Sequence, residues 1–139
     1  MHAPASFDYA LLRVVPRVER QEFINAGVVV YCPQNRYLAA RIRFDRERLK
    51  ALWPEVDVNV VEEHLCGFKR ISEGDPTAGP IATLSLSERF HWMTSPRSTI
   101  IQPSPVHTGV CDTTDTLLDR LEAQFLSPPD NQKSAMSET

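Results

Sequence analysis

Gly27-Val28-Val29-Val30-Tyr31-Cys32-Pro33-Gln34-Asn35-Arg36-Tyr37-Leu38-Ala39-Ala40-Arg41-Ile42-Arg43-Phe44 is the stretch that decides the fold. Its first six residues are rich in β-branched side chains, which suit a pleated surface, and Pro33 to Arg36 has the length and residue types of a hairpin turn. Tyr37 to Phe44 is then the returning strand. Alternation puts Leu38, Ala40, Ile42 and Phe44 on a buried face and Tyr37, Ala39, Arg41 and Arg43 on the other. Upstream, Phe7 to Val15 alternates in the same way, with Tyr9, Leu11, Arg13 and Val15 opposed to Ala10, Leu12 and Val14, and Pro16 ends the run. Three antiparallel strands result.

Downstream the period becomes helical. Asp45 is a good N-cap for a short helix through Leu49, Leu52 and Trp53, which Pro54 stops. Asp57 caps a second helix, whose Val58, Val61, Leu65 and Phe68 form one apolar stripe while Glu62, Glu63 and Lys69 face water. Gly74 to Pro80 reads as a loop. Ser85 and Glu88 have capping-box spacing ahead of a third helix through Phe90 and Met93. Asp112 is placed to cap a terminal helix through Leu117, Leu118, Leu121 and Phe125. Strands first and helices afterwards predict an α+β fold: a single domain over residues 7–126, with a mainly antiparallel three- to four-stranded sheet and helices packed on one face. Residues 1–6 are expected to be a flexible N-terminus. Residues 127–139 have little to bury and are expected to be a disordered tail.

A chain of 139 residues that is 42% hydrophobic fits one ordinary domain. No apolar run reaches the roughly 18–20 residues that span a bilayer, and the first residues lack a basic start and an apolar stretch, so the sequence predicts a cytoplasmic protein. The net charge of −3 argues against strong non-specific binding to duplex nucleic acid. Charge is unevenly spread, with +4 in residues 1–50 and −7 in residues 51–139. Cys32, Cys66 and Cys111 are widely spaced, contain no CxxC pair and read as free thiols.

Residues Ser95 to Asp112 do not read as plain scaffold, because three prolines combine there with hydroxyls, Arg97, Gln102 and His107. Prolines fix φ and remove donors, giving a defined polar segment without a regular ladder. The segment is either a binding loop or a stiff crossover that covers the sheet edge, with room for a short strand around Ile100 and Ile101.

Three motifs, Phe7-Asp8-Tyr9-Ala10-Leu11-Leu12-Arg13-Val14-Val15-Pro16-Arg17-Val18, Glu22-Phe23-Ile24-Asn25-Ala26-Gly27-Val28 and Pro96 to Gly109, closely resemble the bacterial domain-of-unknown-function family numbered 3037. The likeness runs over most of residues 7–126. It implies a small bacterial intracellular protein, and an accessory or regulatory role beside a HipA-like serine/threonine kinase. It supplies no catalytic residues.

The residues themselves offer several chemistries. Arg13, Arg17 and Arg97, with Ser98, Thr99, His107 and Thr108 as hydrogen-bonding groups, form a candidate anion site, since guanidinium forks and hydroxyls give a phosphate or carboxylate both charge and direction. The plain alternative is pairing with Asp8, Glu19 or Glu22 on a solvated surface. Neither GxxxxGK[ST] nor GxGxxG occurs, so no standard nucleotide cradle is expected. Tyr31, Tyr37, Arg41 and Arg43 are the residue types enriched at interfaces and make a candidate contact with another protein or a second copy. The same face offers stacking and charge to single-stranded RNA, but low aromatic content and an acidic second half argue against nucleic acid. His107 and Cys111 have the chemistry of a base and a nucleophile, and adding His64 and Cys66 would make four zinc ligands. However, His64 and Cys66 stand two apart on a helix and diverge, and the sequence predicts neither metal nor cofactor. Ser98 or Thr99, beside Arg97, is a candidate phosphorylation target. Two readings stand. One is a non-enzymatic accessory or regulatory protein-binding domain. The other is an enzyme or sensor that binds a phosphorylated or anionic small molecule through Arg13, Arg17, Arg97 and His107.

Overall fold

A computed structural model of the chain describes residues 4–126. The expected disordered tail, 127–139, and the first three residues lie outside them. Strand β1 (Ala5–Val14) begins two residues ahead of the expected start and takes Ala5 and Ser6 into the sheet. It is followed by β2 (Ile24–Cys32), β3 (Tyr37–Ile42), α1 (Arg46–Leu52), α2 (Val58–Ser72), α3 (Leu86–Thr94), β4 (Ile101–Pro103), β5 (His107–Cys111) and α4 (Leu117–Phe125). The α+β architecture read from the sequence is the one found, and the sheet is antiparallel throughout.

The order across the sheet is β3-β2-β1-β4, and β5 lies on the same edge of β1 as β4. β4 runs beside Leu12, Arg13 and Val14, and β5 beside Ala5 to Tyr9. The proline-rich segment is therefore a fourth, interrupted strand. Proline has no N–H, so Pro103 and Pro105 cannot donate to a ladder. Ser104 lies between them and is 3% exposed. Its amide donates to the Leu11 carbonyl at 2.8 Å, and its hydroxyl accepts from the Leu11 amide at 2.8 Å. One side chain thus satisfies the backbone where the ladder breaks.

Three of the four expected helix caps are present. Asp45 accepts from the amides of Glu47 and Arg48, Asp57 from those of Asn59 and Val60, and Ser85 with Glu88 closes a capping box. Asp112 does not cap α4. The N-cap is Thr116, whose side chain makes no capping bond. Short 3-10 turns fill Pro76–Ala78 and Pro80–Thr83, within and just after the expected loop.

The expected helix layer on one face consists of α1, α2 and α3. Leu49, Val61, Leu65, Phe68, Phe90 and Met93 pack there against Leu12, Val14, Ala26, Val29, Leu38 and Ala40. The other face is covered as well, by α4. Leu117, Leu121 and Leu126 meet Phe7, Leu11, Val28, Val30, Cys32 and Cys111. β5 approaches closely on this side: a Cβ built on Gly109 would stand 2.5 Å from the Phe7 ring, so this position has no room for a side chain.

Replacing Ser104 by alanine removes little volume but leaves the buried Leu11 amide without an acceptor. Ser104→Ala is expected to cost about 1–3 kcal/mol, read as a lower urea midpoint with an unchanged slope.

Candidate functional site

Between β1 and β2 the chain makes a short connector with a 3-10 turn at Val18–Arg20, and it reverses through Gln21 in the left-handed region (φ 57°). The connector separates two open grooves. On one side Arg17, Arg20 and Glu22 face Leu52, Trp53 and Pro54 across about 330 Å³. On the other, Arg13, Val18, Gln21 and Phe23 face Arg97, Ser98 and Gln102 across about 320 Å³.

The second groove is the better anion site. In the first, Arg20 is already paired with Glu22, whose carboxylate stands in the wall. In the second, the two guanidinium groups rest on aromatic rings. Arg13 lies over Phe23, 4.2 Å from the ring centroid, and Arg97 lies over Trp92 at 4.4 Å and Phe68 at 5.0 Å. Stacking orients a guanidinium while leaving its in-plane donors available. Arg97 donates to the Trp92 carbonyl, and neither arginine has a carboxylate partner among the described residues. Burial pulls the Arg97 pKa below its ordinary value, the mark of a cation partly stripped of water. Arg13 Nε and Asn25 Oδ1, at facing positions of β1 and β2, are buried without a hydrogen-bond partner.

The structure gathers part of the sequence-derived anion set and scatters the rest. Arg13 and Gln102 are facing residues of β1 and β4, which brings Arg97 and Ser98 alongside Arg13. The Thr99 hydroxyl is used locally, donating to the Ile101 carbonyl at 2.9 Å. Arg17 lines the other groove. His107 and Thr108 lie beside the middle of β1, opposite Tyr9 and Asp8. Since Tyr9 and Arg13 are four residues apart, this is about 13 Å away at the rise of a strand. The His107 ring packs on Tyr9, and Thr108 donates to Asp8. Val18, Gln21 and Phe23 also line the groove and are outside the sequence-derived anion set, while Gln102 comes from the polar proline-rich segment. The Phe23 motif was visible in the sequence, but the pairing that brings it near Arg97 was not.

The four interface candidates are all engaged within the chain. Tyr31 packs on Phe90, with centroids 5.3 Å apart. Tyr37 is half-buried and packs against the α4-side cluster. Arg41 donates to Asp119 at 2.7 Å and to Glu122 at 3.3 Å, and Arg43 donates to Glu122 at 3.0 Å. These hydrogen bonds hold the Arg41 pKa above its ordinary value. The face that offered Arg41 and Arg43 to RNA is therefore the one that α4 covers.

The thiol readings meet a similar end. Cys66 is exposed, while Cys32 and Cys111 are buried. Burial and the neighbouring Cys32 push the Cys111 thiol up, away from the thiolate that a nucleophile needs. Among the described residues no group of three or more His, Cys, Asp or Glu can hold a metal ion. No helix among them is long and apolar enough to cross a membrane.

An antiparallel α+β domain with a two-arginine groove at one end of its central strand is the class of protein defined here. A family model described as a protein of unknown function, DUF3037, matches residues 9–126, and the chain belongs to that family. No curated protein and no solved structure shows a significant match.

Two measurements check this geometry. Reversing both β3 arginines, Arg41→Glu with Arg43→Glu, sets four carboxylates together under α4. A loss of about 1–2 kcal/mol is expected at low salt, shrinking as salt is raised, because the pairs are partly exposed. In a thiol-reagent time course on the native protein, Cys66 is expected to react first, and Cys32 and Cys111 only as α4 opens or the chain unfolds.

Proposed function

We propose that this domain is a non-enzymatic binding module that receives an anionic group between Arg13 and Arg97. The single observation that carries the reading is the state of those two guanidiniums. They are oriented by aromatic rings, have no carboxylate partner among the described residues, and face the same open groove with Ser98, Gln21 and Gln102. A phosphate or carboxylate entering there gains charge-assisted hydrogen bonds from two forks whose geometry is already set. His107, the one acid/base candidate of the rival enzyme reading, pairs with Tyr9, four residues along β1 from Arg13, and its ring packs on Tyr9, which favours recognition over catalysis.

An accessory or regulatory role with a protein partner is the second reading, with a HipA-like kinase the partner implied by family resemblance and the bacterial cytoplasm the implied setting. What favours it is the β5 side of the sheet. Val106 and Val110 stand exposed there, and the strand carries no Asp, Glu, Lys or Arg. Uncharged edge strands are the ones that accept another strand. Such a contact leaves the arginine groove open, so the two readings are compatible.

The test is thermal unfolding with inorganic phosphate or malonate. At about ten times the dissociation constant, one site adds about 1.4 kcal/mol, or about 4–6 °C for a domain of this size. Phosphate also stabilises proteins generally by exclusion, so the specific part is what Arg97→Ala and Arg13→Ala remove. Both variants are expected to lose most of the shift while keeping a cooperative transition. An equal shift in wild type and variants would exclude the site.

A further inference from the structure

We infer that the ligand of this groove is a small free anion with an apolar body, an aryl or branched-alkyl phosphate or carboxylate, and that Val18 and Phe23 determine that specificity. The inference rests on the anion-site reading and adds the class of ligand.

Apolar surface left in water in a concave site is a binding asset. The large hydrophobic residues exposed among the described residues include Val18 at 42% and Phe23 at 44%, and both line the groove that holds Arg13 and Arg97. Their placement follows from the connector. The left-handed Gln21 turns the chain between them, so Val18 and Phe23 return to the same groove wall. Phe23 already supports the Arg13 guanidinium at 4.2 Å, yet nearly half of its surface is still in water beside the cation.

A bare oxyanion would use the donors and leave both side chains wet. It would also leave much of the groove to water, since about 320 Å³ is on the scale of a small organic ligand. An anion joined to a ring or branched chain places its charge on Arg13 and Arg97 and its body on Val18 and Phe23. The volume is at the lower end of small-molecule sites, which favours a free ligand of this size.

Calorimetric titration of the full chain with methyl phosphate and phenyl phosphate, matched in charge and different in body, tests the inference. Acetate and benzoate form the parallel carboxylate pair. Phenyl phosphate is expected to bind about tenfold more tightly than methyl phosphate, the gain from burying about 55 Å² of apolar surface. Val18→Ser, a change at a residue 42% exposed, should cut the ratio of phenyl to methyl phosphate affinity about threefold. Val18→Ser with Phe23→Ala should abolish the advantage. If all the anions bind in an Arg97-dependent way but methyl and phenyl phosphate bind equally, or if Val18→Ser leaves their ratio intact, the anion site stands and this inference is overturned. If no anion binds, the anion-site reading fails and this inference falls with it. Binding of phenyl phosphate only when it is carried on a peptide as phosphotyrosine would overturn the free-ligand class.

Discussion

The closure of Leu11 on Ser104 is the contact on which the two ends of the molecule depend. A strand written with Pro103 and Pro105 on either side of one serine cannot maintain a regular ladder, yet β1 needs a neighbour along its whole outer edge. Ser104 supplies both a backbone donor and a side-chain acceptor at the break. Beyond it in one direction, β4 carries Gln102 to Arg13 and brings Arg97 and Ser98 alongside. In the other, β5 lays Gly109 under the Phe7 ring and delivers the chain to α4. The prolines therefore divide one edge strand into two segments with different tasks.

Charge is handled in two ways. On β3, Arg41 and Arg43 are met by Asp119 and Glu122, so a charged sheet face becomes the seat of a helix. At the end of β1, Arg13 and Arg97 are held by Phe23, Trp92 and Phe68 instead. An ion pair spends the charge within the fold, whereas an aromatic shelf fixes the geometry and leaves the charge facing outward. This contrast, more than the number of arginines, separates scaffold from candidate site.

Most of the scaffold was legible in the sequence because it is governed by local rules. Parity sorted β3 correctly, and Asp45, Asp57 and Ser85 with Glu88 marked three helix starts. Asp112 misled because cap chemistry is a property of one turn, and four further residues separate it from the first turn of α4. The second helix layer was harder to see. Val28-Val29-Val30 is apolar at every position, the pattern of a strand covered on both faces, but Arg41 and Arg43 on the neighbouring strand pointed to solvent. Only their pairing with Asp119 and Glu122, about eighty residues on, resolves the conflict. The groove was partly legible for the same reason. Arg13 and Arg97 could be named as a type of chemistry, but no periodicity links positions that meet only through the register of β1 with β4. Arg17 and His107 satisfied the same compositional rule and went elsewhere.

The position of β1 also sets when the molecule can be completed. β1, the first strand among the described residues, is an interior one, and its second edge is closed by contacts that span 93 positions between Leu11 and Ser104 and 100 between Asp8 and Thr108. Residues up to Ile100 contain only three strands of the sheet, so one edge of β1 and the face that α4 covers have no partner until later residues are available. Such long-range closure slows folding and prolongs the exposure of strand edges. The exposed interval of this fold therefore closes only when α4 is in place.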